Sequence, residues 1–226
     1  MSRKINLIFD LFLSLSLQSL ASPNIAQAGR DQQETSQPAE QSVVVTVLLH
    51  NYAHLPKPIV AEAEDRAGLI FRKAGVQVRW ADCPLNDEDP ASYPECPVEF
   101  DCTDLFLRIF PATATKLDHG GESLVGARIA NIFWNQVEEQ SRRLNVDAPR
   151  ILAHTIAHEL GHLLLGSNSH SPTGIMTAHW EAQVLVHICQ DGLFFDNQQS
   201  KLIQTGIRKR KDQETPFQNA SPALQQ

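Results

Sequence analysis

His158-Glu159-Leu160-Gly161-His162 is the segment whose residue types and spacing can do chemistry. In a helix, positions i and i+4 lie on one face, about one turn apart, so two imidazoles placed there can hold one Zn²⁺ at roughly 2 Å each. Glu159 stands beside the first imidazole, where its carboxylate can take the proton of a water whose pKa the metal lowers towards about 7. A bare H-E-x-x-H arises by chance in many sequences, so its context matters. Five of the nine histidines fall between 154 and 179. Ile151, Leu152, Ile156, Leu163 and Leu164 supply the apolar surface that would bury such a helix. Pro149 opens it and Gly166 stops it. A polar loop, Ser167-Asn168-Ser169-His170-Ser171-Pro172-Thr173-Gly174, then leads into Ile175-Met176.

A helical H-E-x-x-H, a Gly at its end, a His soon after and a Met in a tight turn make this stretch resemble the metzincin branch of the zinc metallopeptidases, the zincins. The resemblance spans roughly residues 42–210 and is specific only over 158–176. It implies an α+β fold with a twisted, mainly parallel sheet, one antiparallel edge strand, the motif helix and a Met-turn at Met176. It also implies a zinc-dependent endopeptidase acting on peptides or proteins, with Glu159 catalytic and Zn²⁺ as cofactor.

The family pattern is H-E-x-x-H-x-x-G-x-x-H. Here Gly166 follows His162 by four residues and His170 follows it by eight, which leaves Asn168 at the usual third-ligand spacing. Asn is a poor zinc ligand and the longer loop can reach, so His158, His162 and His170 are the expected metal ligands. Some relatives place a Tyr just after the Met to steady the transition state. No Tyr follows Tyr93 in this chain, and His179 is the candidate for that role. In the branch it resembles, an antiparallel edge strand above the cleft pairs with an extended substrate. That strand is expected at Leu124–Ala130, with Gly126, Ala127 and Arg128 binding substrate.

Rival readings have specific weaknesses. His154 precedes His158 by one turn, but i to i+8 covers about 12 Å of helix axis, too far for His154 and His162 to share an ion. His154 is therefore read as a core residue or a support behind the ligands. His50, His54, His119 and His187 are read as ordinary polar residues. No G-x-S-x-G, G-x-G-x-x-G or G-x-x-x-x-G-K is present. Two other functions use the same motif: a zincin-fold protein that binds without cutting, and a zinc hydrolase of a non-peptide amide. An intact Glu159 and only three protein ligands favour catalysis, because a structural zinc closes its shell with four.

The elements that must position this site follow from pattern. Val43–Leu49 is an unbroken β-branched run, the mark of a strand buried on both faces. Val60, Ala63, Ala67, Ile70 and Phe71 give Ile59–Lys73 a helical face. Val76–Trp80 alternates as a second strand, and strand, helix, strand within so short a span predicts a right-handed parallel crossover. Leu105–Phe110 reads as a third strand and Gly120-Gly121 as a turn. Leu124–Phe133 reads as a fourth strand, with helix following to Leu144. Residues 149–165 form the motif helix and Asn197–Lys209 a last helix.

The ends read differently. Residues 1–28, with Arg3, Lys4, an apolar stretch and Ala26-Gln27-Ala28, read as an export signal. Residues 29–41 read as a disordered polar leader, 42–210 as the zincin-like domain and 211–226 as a disordered tail. The mature chain is then expected to be secreted or periplasmic, with no stable membrane span. Arg208-Lys209-Arg210-Lys211 is expected to complement the dipole at the end of the last helix. The even cysteine count, Cys83, Cys96, Cys102 and Cys189, fits disulfides in an exported chain. One bridge is expected to staple the acidic, Pro-rich loop at 82–103, and sequence leaves the connectivity open. The whole chain has 226 residues, 42% hydrophobic and 20% charged, with net charge −7. That composition is globular, and its acidity argues against a non-specific grip on nucleic acid.

Overall fold

In the computed structural model the described residues are 43–113, 120–166, 169–178, 180, 188 and 192–218, all within one compact unit, Glu40–Gln226. Strand β1, Val43–His50, runs into helix α1, Lys57–Lys73, and then strand β2, Val76–Asp82. β1 and β2 pair in parallel, with Val43 opposite Val76 and Leu49 opposite Asp82, as the crossover reading requires. Strand β3, Leu105–Phe110, pairs in parallel on the other side of β1. The sheet order is β2-β1-β3-β5-β4, where β4 is Gly121–Leu124 and β5 is Ile129–Phe133. β5 is parallel to β3, and β4 is antiparallel to β5 at the sheet edge.

This corrects the expected fourth strand. Leu124–Phe133 is not continuous: a short 3-10 turn at Val125–Ala127 and a left-handed Arg128 (φ 57°) reverse the chain between two strands. The antiparallel edge is therefore β4, and Gly126, Ala127 and Arg128 lie in the turn beyond it rather than on it. β-branched and small residues on both sides hid the break. Only a residue in a left-handed conformation marks it, and Arg is not a usual signal for one.

Helix α2, Trp134–Leu144, follows β5 directly, and helix α3, Ala148–Leu165, comes next. Helix α4, Asn197–Gln218, runs past the expected end at Lys209, since no Gly or Pro follows that residue until Pro216. The basic run is therefore internal to α4. Its Arg210 donates from Nη2 to the Leu163 carbonyl at 2.9 Å, so it complements the last turn of α3 instead. The helices cover one sheet face: Val45, Val47, Leu49, Leu105, Leu107, Ile109, Ala130 and Ile132 are buried against them. The other face is only partly covered. Val44 and Thr46 are half-buried, so β1 is not enclosed on both sides as its composition implied. Cys83 and Cys96 are joined in a disulfide that staples the loop after β2. Cys102 Sγ donates to the Arg210 carbonyl at 3.3 Å, and Cys189 lies outside the described residues.

Candidate metal centre

α3 begins with Asp147 accepting from Arg150 N, with Pro149 in its first turn. It ends at Gly166, whose left-handed φ of 75° costs a residue without Cβ nothing. Every side chain from Ile151 to Leu164 is buried, because α1, α2, α4 and the sheet all contact this helix. His158 and His162 are thus delivered on one face with rotamers fixed by packing, and both are at most 5% exposed.

Their ring nitrogens converge. His158 Nε2 and His162 Nε2 are 3.1 Å apart, and the two rings meet edge to face. His158 Nδ1 donates to the Ile175 carbonyl at 2.7 Å, which leaves the lone pair on Nε2. His170, exposed on the loop after α3, brings its ring to 5.5 Å from that of His158 and 4.8 Å from that of His162, centroid to centroid. One nitrogen from each of the three lies within 4.8 Å of the others. Two ligands at zinc-nitrogen distance in a tetrahedral shell stand roughly 3.3 Å apart, close to the His158–His162 spacing. Lone pairs that close repel unless a proton or a cation lies between them. The three imidazoles are a donor set that supports Zn²⁺ and leaves room for a further ligand.

Glu159 is the second element of the site. It is 3% exposed, and neither of the two ion pairs among the described residues involves it. A carboxylate so placed is costly unless a cation is at hand. Burial pushes its pKa up to about 7; the bond from Ser123 opposes this and the nearby Glu122 adds to it. Ser123 Oγ shares its proton between the Glu159 carbonyl at 2.8 Å and Oε2 at 2.5 Å. A Cβ on Gly121 would stand 2.7 Å from Glu159 Cγ, so only Gly lets β4 lie this close to the carboxylate side chain. Edge strand and buried carboxylate are therefore in contact through two residues, Gly121, which the sequence placed in a turn, and Ser123, which it did not single out.

The turn carrying Met176 lies under the histidines. Ile175 N donates to the Phe194 carbonyl and Ser171 N to the Met176 carbonyl. A Cβ on Gly161 would stand 2.7 Å from Met176 Sδ and 2.8 Å from Phe195 Cε1. The small residue inside H-E-x-x-H is therefore what lets the Met turn close against α3, and that Gly was legible in the motif had its neighbour been known. His154 sits apart, as expected. Its Nδ1 donates to the Arg150 carbonyl at 2.8 Å, and its Nε2 accepts from Leu193 N at 3.3 Å. Burial lowers its pKa to about 4. Trp180 packs edge-on to both His154 and His158. His179 and Asn168 lie outside the described residues.

Fold and site together define a mixed α/β domain with a mostly parallel five-stranded sheet and a three-histidine candidate metal centre. No family model and no curated protein matches the chain. Among solved structures, that of a zinc-dependent peptidase from Methanocorpusculum labreanum (strain Z) is similar at 13% identity and a TM-score of 0.48, over 70% of this chain and 99% of that one.

Proposed function

We propose that this chain is an exported zinc-dependent endopeptidase. The observation that carries the reading is a buried carboxylate, Glu159, next in sequence to His158 on the helix that carries two of three convergent imidazoles, and touched by an edge strand. His158, His162 and His170 would hold a Zn²⁺ ion, which would supply Lewis acidity for acidifying water and polarising a carbonyl. Glu159 accepts the proton of the attacking water and hands it to the leaving amine. Ser123 holds the carboxylate towards the site. His158 is oriented by Ile175, and Met176 supports the floor.

The outer edge of β4 supports a peptide rather than a small amide as substrate. Among the described residues no strand pairs with it. Phe133 N donates to the Gly120 carbonyl, so by antiparallel alternation the main-chain groups of Gly121 and Ser123 point outward. An extended peptide can bond to them and lie alongside Glu159. The Cys83–Cys96 bridge suits an oxidising compartment and supports export. Among the described residues no helix is long and apolar enough to cross a membrane.

The test combines elemental analysis with digestion of a diverse peptide library. Stoichiometric zinc, cleavage, loss of cleavage with a chelator and its return with Zn²⁺ are expected. Stoichiometric zinc without any cleavage would move the account to a binding protein.

A further inference from the structure

The face of the sheet turned away from α3 is organised in rows. Register places Leu124, Ile129, Phe106 and Leu48 side by side across β4, β5, β3 and β1. The next row is Glu122, Asn131, Arg108 and His50. One row is apolar and the other polar, and they are two residues apart along each strand. The polar row is joined at the edge, where Asn131 Nδ2 donates to Glu122 Oε1 at 3.0 Å. The apolar row is extended by Phe100, which packs edge-on to Phe106 at 5.2 Å. Both rows stop at the open edge. Leu124 is 47% exposed there, and Glu122 is exposed as well.

A strand added at that edge would continue the rows. With Gly121 and Ser123 bonding outward, Glu122 faces a substrate residue across the edge, and in an antiparallel addition the two form a non-hydrogen-bonded pair, where side chains come closest. Directly opposite residues share a face, so the substrate side chain across from Glu122 projects beside its carboxylate. The one across from Leu124 projects beside an exposed apolar surface. The residue between them, across from Ser123, points to the side of α3 and Glu159.

Resting on the peptidase reading, we infer that the substrate is an extended peptide carrying one basic and one apolar residue separated by a single position, read by Glu122 and Leu124 respectively. Specificity on this face is then set by two side chains that touch neither the metal ligands nor Glu159. The order of basic and apolar residues along the preferred peptide reports whether it runs parallel or antiparallel to β4.

The experiment scans a positional peptide library with the zinc-loaded full chain, with Glu122→Lys and with Leu124→Ser. The parent is expected to favour Lys or Arg over Asp or Glu at one position by about two- to fivefold, the usual worth of a cross-strand charge pair. Glu122→Lys should reverse that preference and leave the apolar one in place. Leu124→Ser should flatten the apolar preference two positions away and leave the charge one in place. A parent preference that neither substitution moves overturns the inference while the peptidase reading stands. Binding of the same peptides to zinc-loaded Glu159→Gln, followed by fluorescence anisotropy, separates the two ideas. Charge-selective binding with no cleavage by the parent would sink the peptidase reading and keep the inference; neither binding nor cleavage would sink both.

Discussion

Helix α3 and the loop that follows it contribute to one site by opposite physical means. On α3, His158, Glu159 and His162 are buried and held by contacts with three other helices and the sheet. On the loop, His170 is exposed and reaches the same point from beyond a helix stop at Gly166. A helix fixes the distance between i and i+4 whatever surrounds it, whereas a loop fixes nothing by spacing alone. Two of the three imidazoles are therefore pre-organised and the third is delivered by a loop, so the spacing between His162 and His170 can be long without dispersing the cluster.

The sharpest break of that comparison is in metal affinity. His158→Ala or His162→Ala should abolish tight zinc binding in competition with a chelator. His170→Ala should weaken it less, by about 100-fold, because the pre-organised helix pair remains and only one ligand's share, roughly 3 kcal/mol of about 10–16 kcal/mol for a four-ligand zinc site, is lost. Equal zinc affinity in the parent and His170→Ala, with release by Asn168→Ala, would reassign the loop's ligand.

The buried side of the comparison also carries an acid limb of stability. His154 stays neutral in the fold down to about pH 4, whereas in the unfolded chain it takes a proton near its ordinary value of 6.5. Between those values His154 binds more protons in the unfolded chain, so its contribution to stability is full above about 6.5 and is lost as the pH drops towards 4. The loss at the acid end is about 3 kcal/mol. Glu159, pushed up to about 7, contributes in the opposite sense over part of this range, so the limb is read as a difference: urea unfolding of His154→Gln should gain on the parent as the pH falls from about 6.5 towards 4. An unchanged limb in that variant would place its origin elsewhere.

A smaller effect tests how tightly the Met turn closes on α3. Gly161→Ala puts a methyl against Met176 Sδ and the Phe195 ring. Overpacking of this kind costs about 1–3 kcal/mol, a fall in Tm of roughly 2–10 °C. A Tm equal to the parent's would mean the turn gives way freely.

Legibility in the sequence follows the same division. The β1–α1–β2 crossover, β3 and α3 carried continuous apolar patterns and were read within a few residues. The β4–β5 hairpin was not, because its reversal rests on the left-handed Arg128 inside an apolar run with no turn residue at the bend except Gly126. The expected edge-strand residues Gly126, Ala127 and Arg128 consequently fall in the turn beyond β4. In the site, His158, His162 and Glu159 were legible from spacing, and His170 from donor chemistry. Ser123 and Gly121 were not, because their relation to Glu159 exists only once the edge strand lies over α3. The end of α4 was missed for want of any stop signal before Pro216.

The central claim is that Glu159 is the base of a zinc peptidase, and Glu159→Gln tests it most directly. The substitution keeps size and a hydrogen-bonding partner for Ser123 but removes the group that accepts a proton. Zinc content and thermal stability should stay close to the parent's, while peptide cleavage falls by about 10²–10⁴-fold, the usual worth of positioned acid–base catalysis. A zinc-loaded Gln variant that cleaves peptides as fast as the parent would contradict the account.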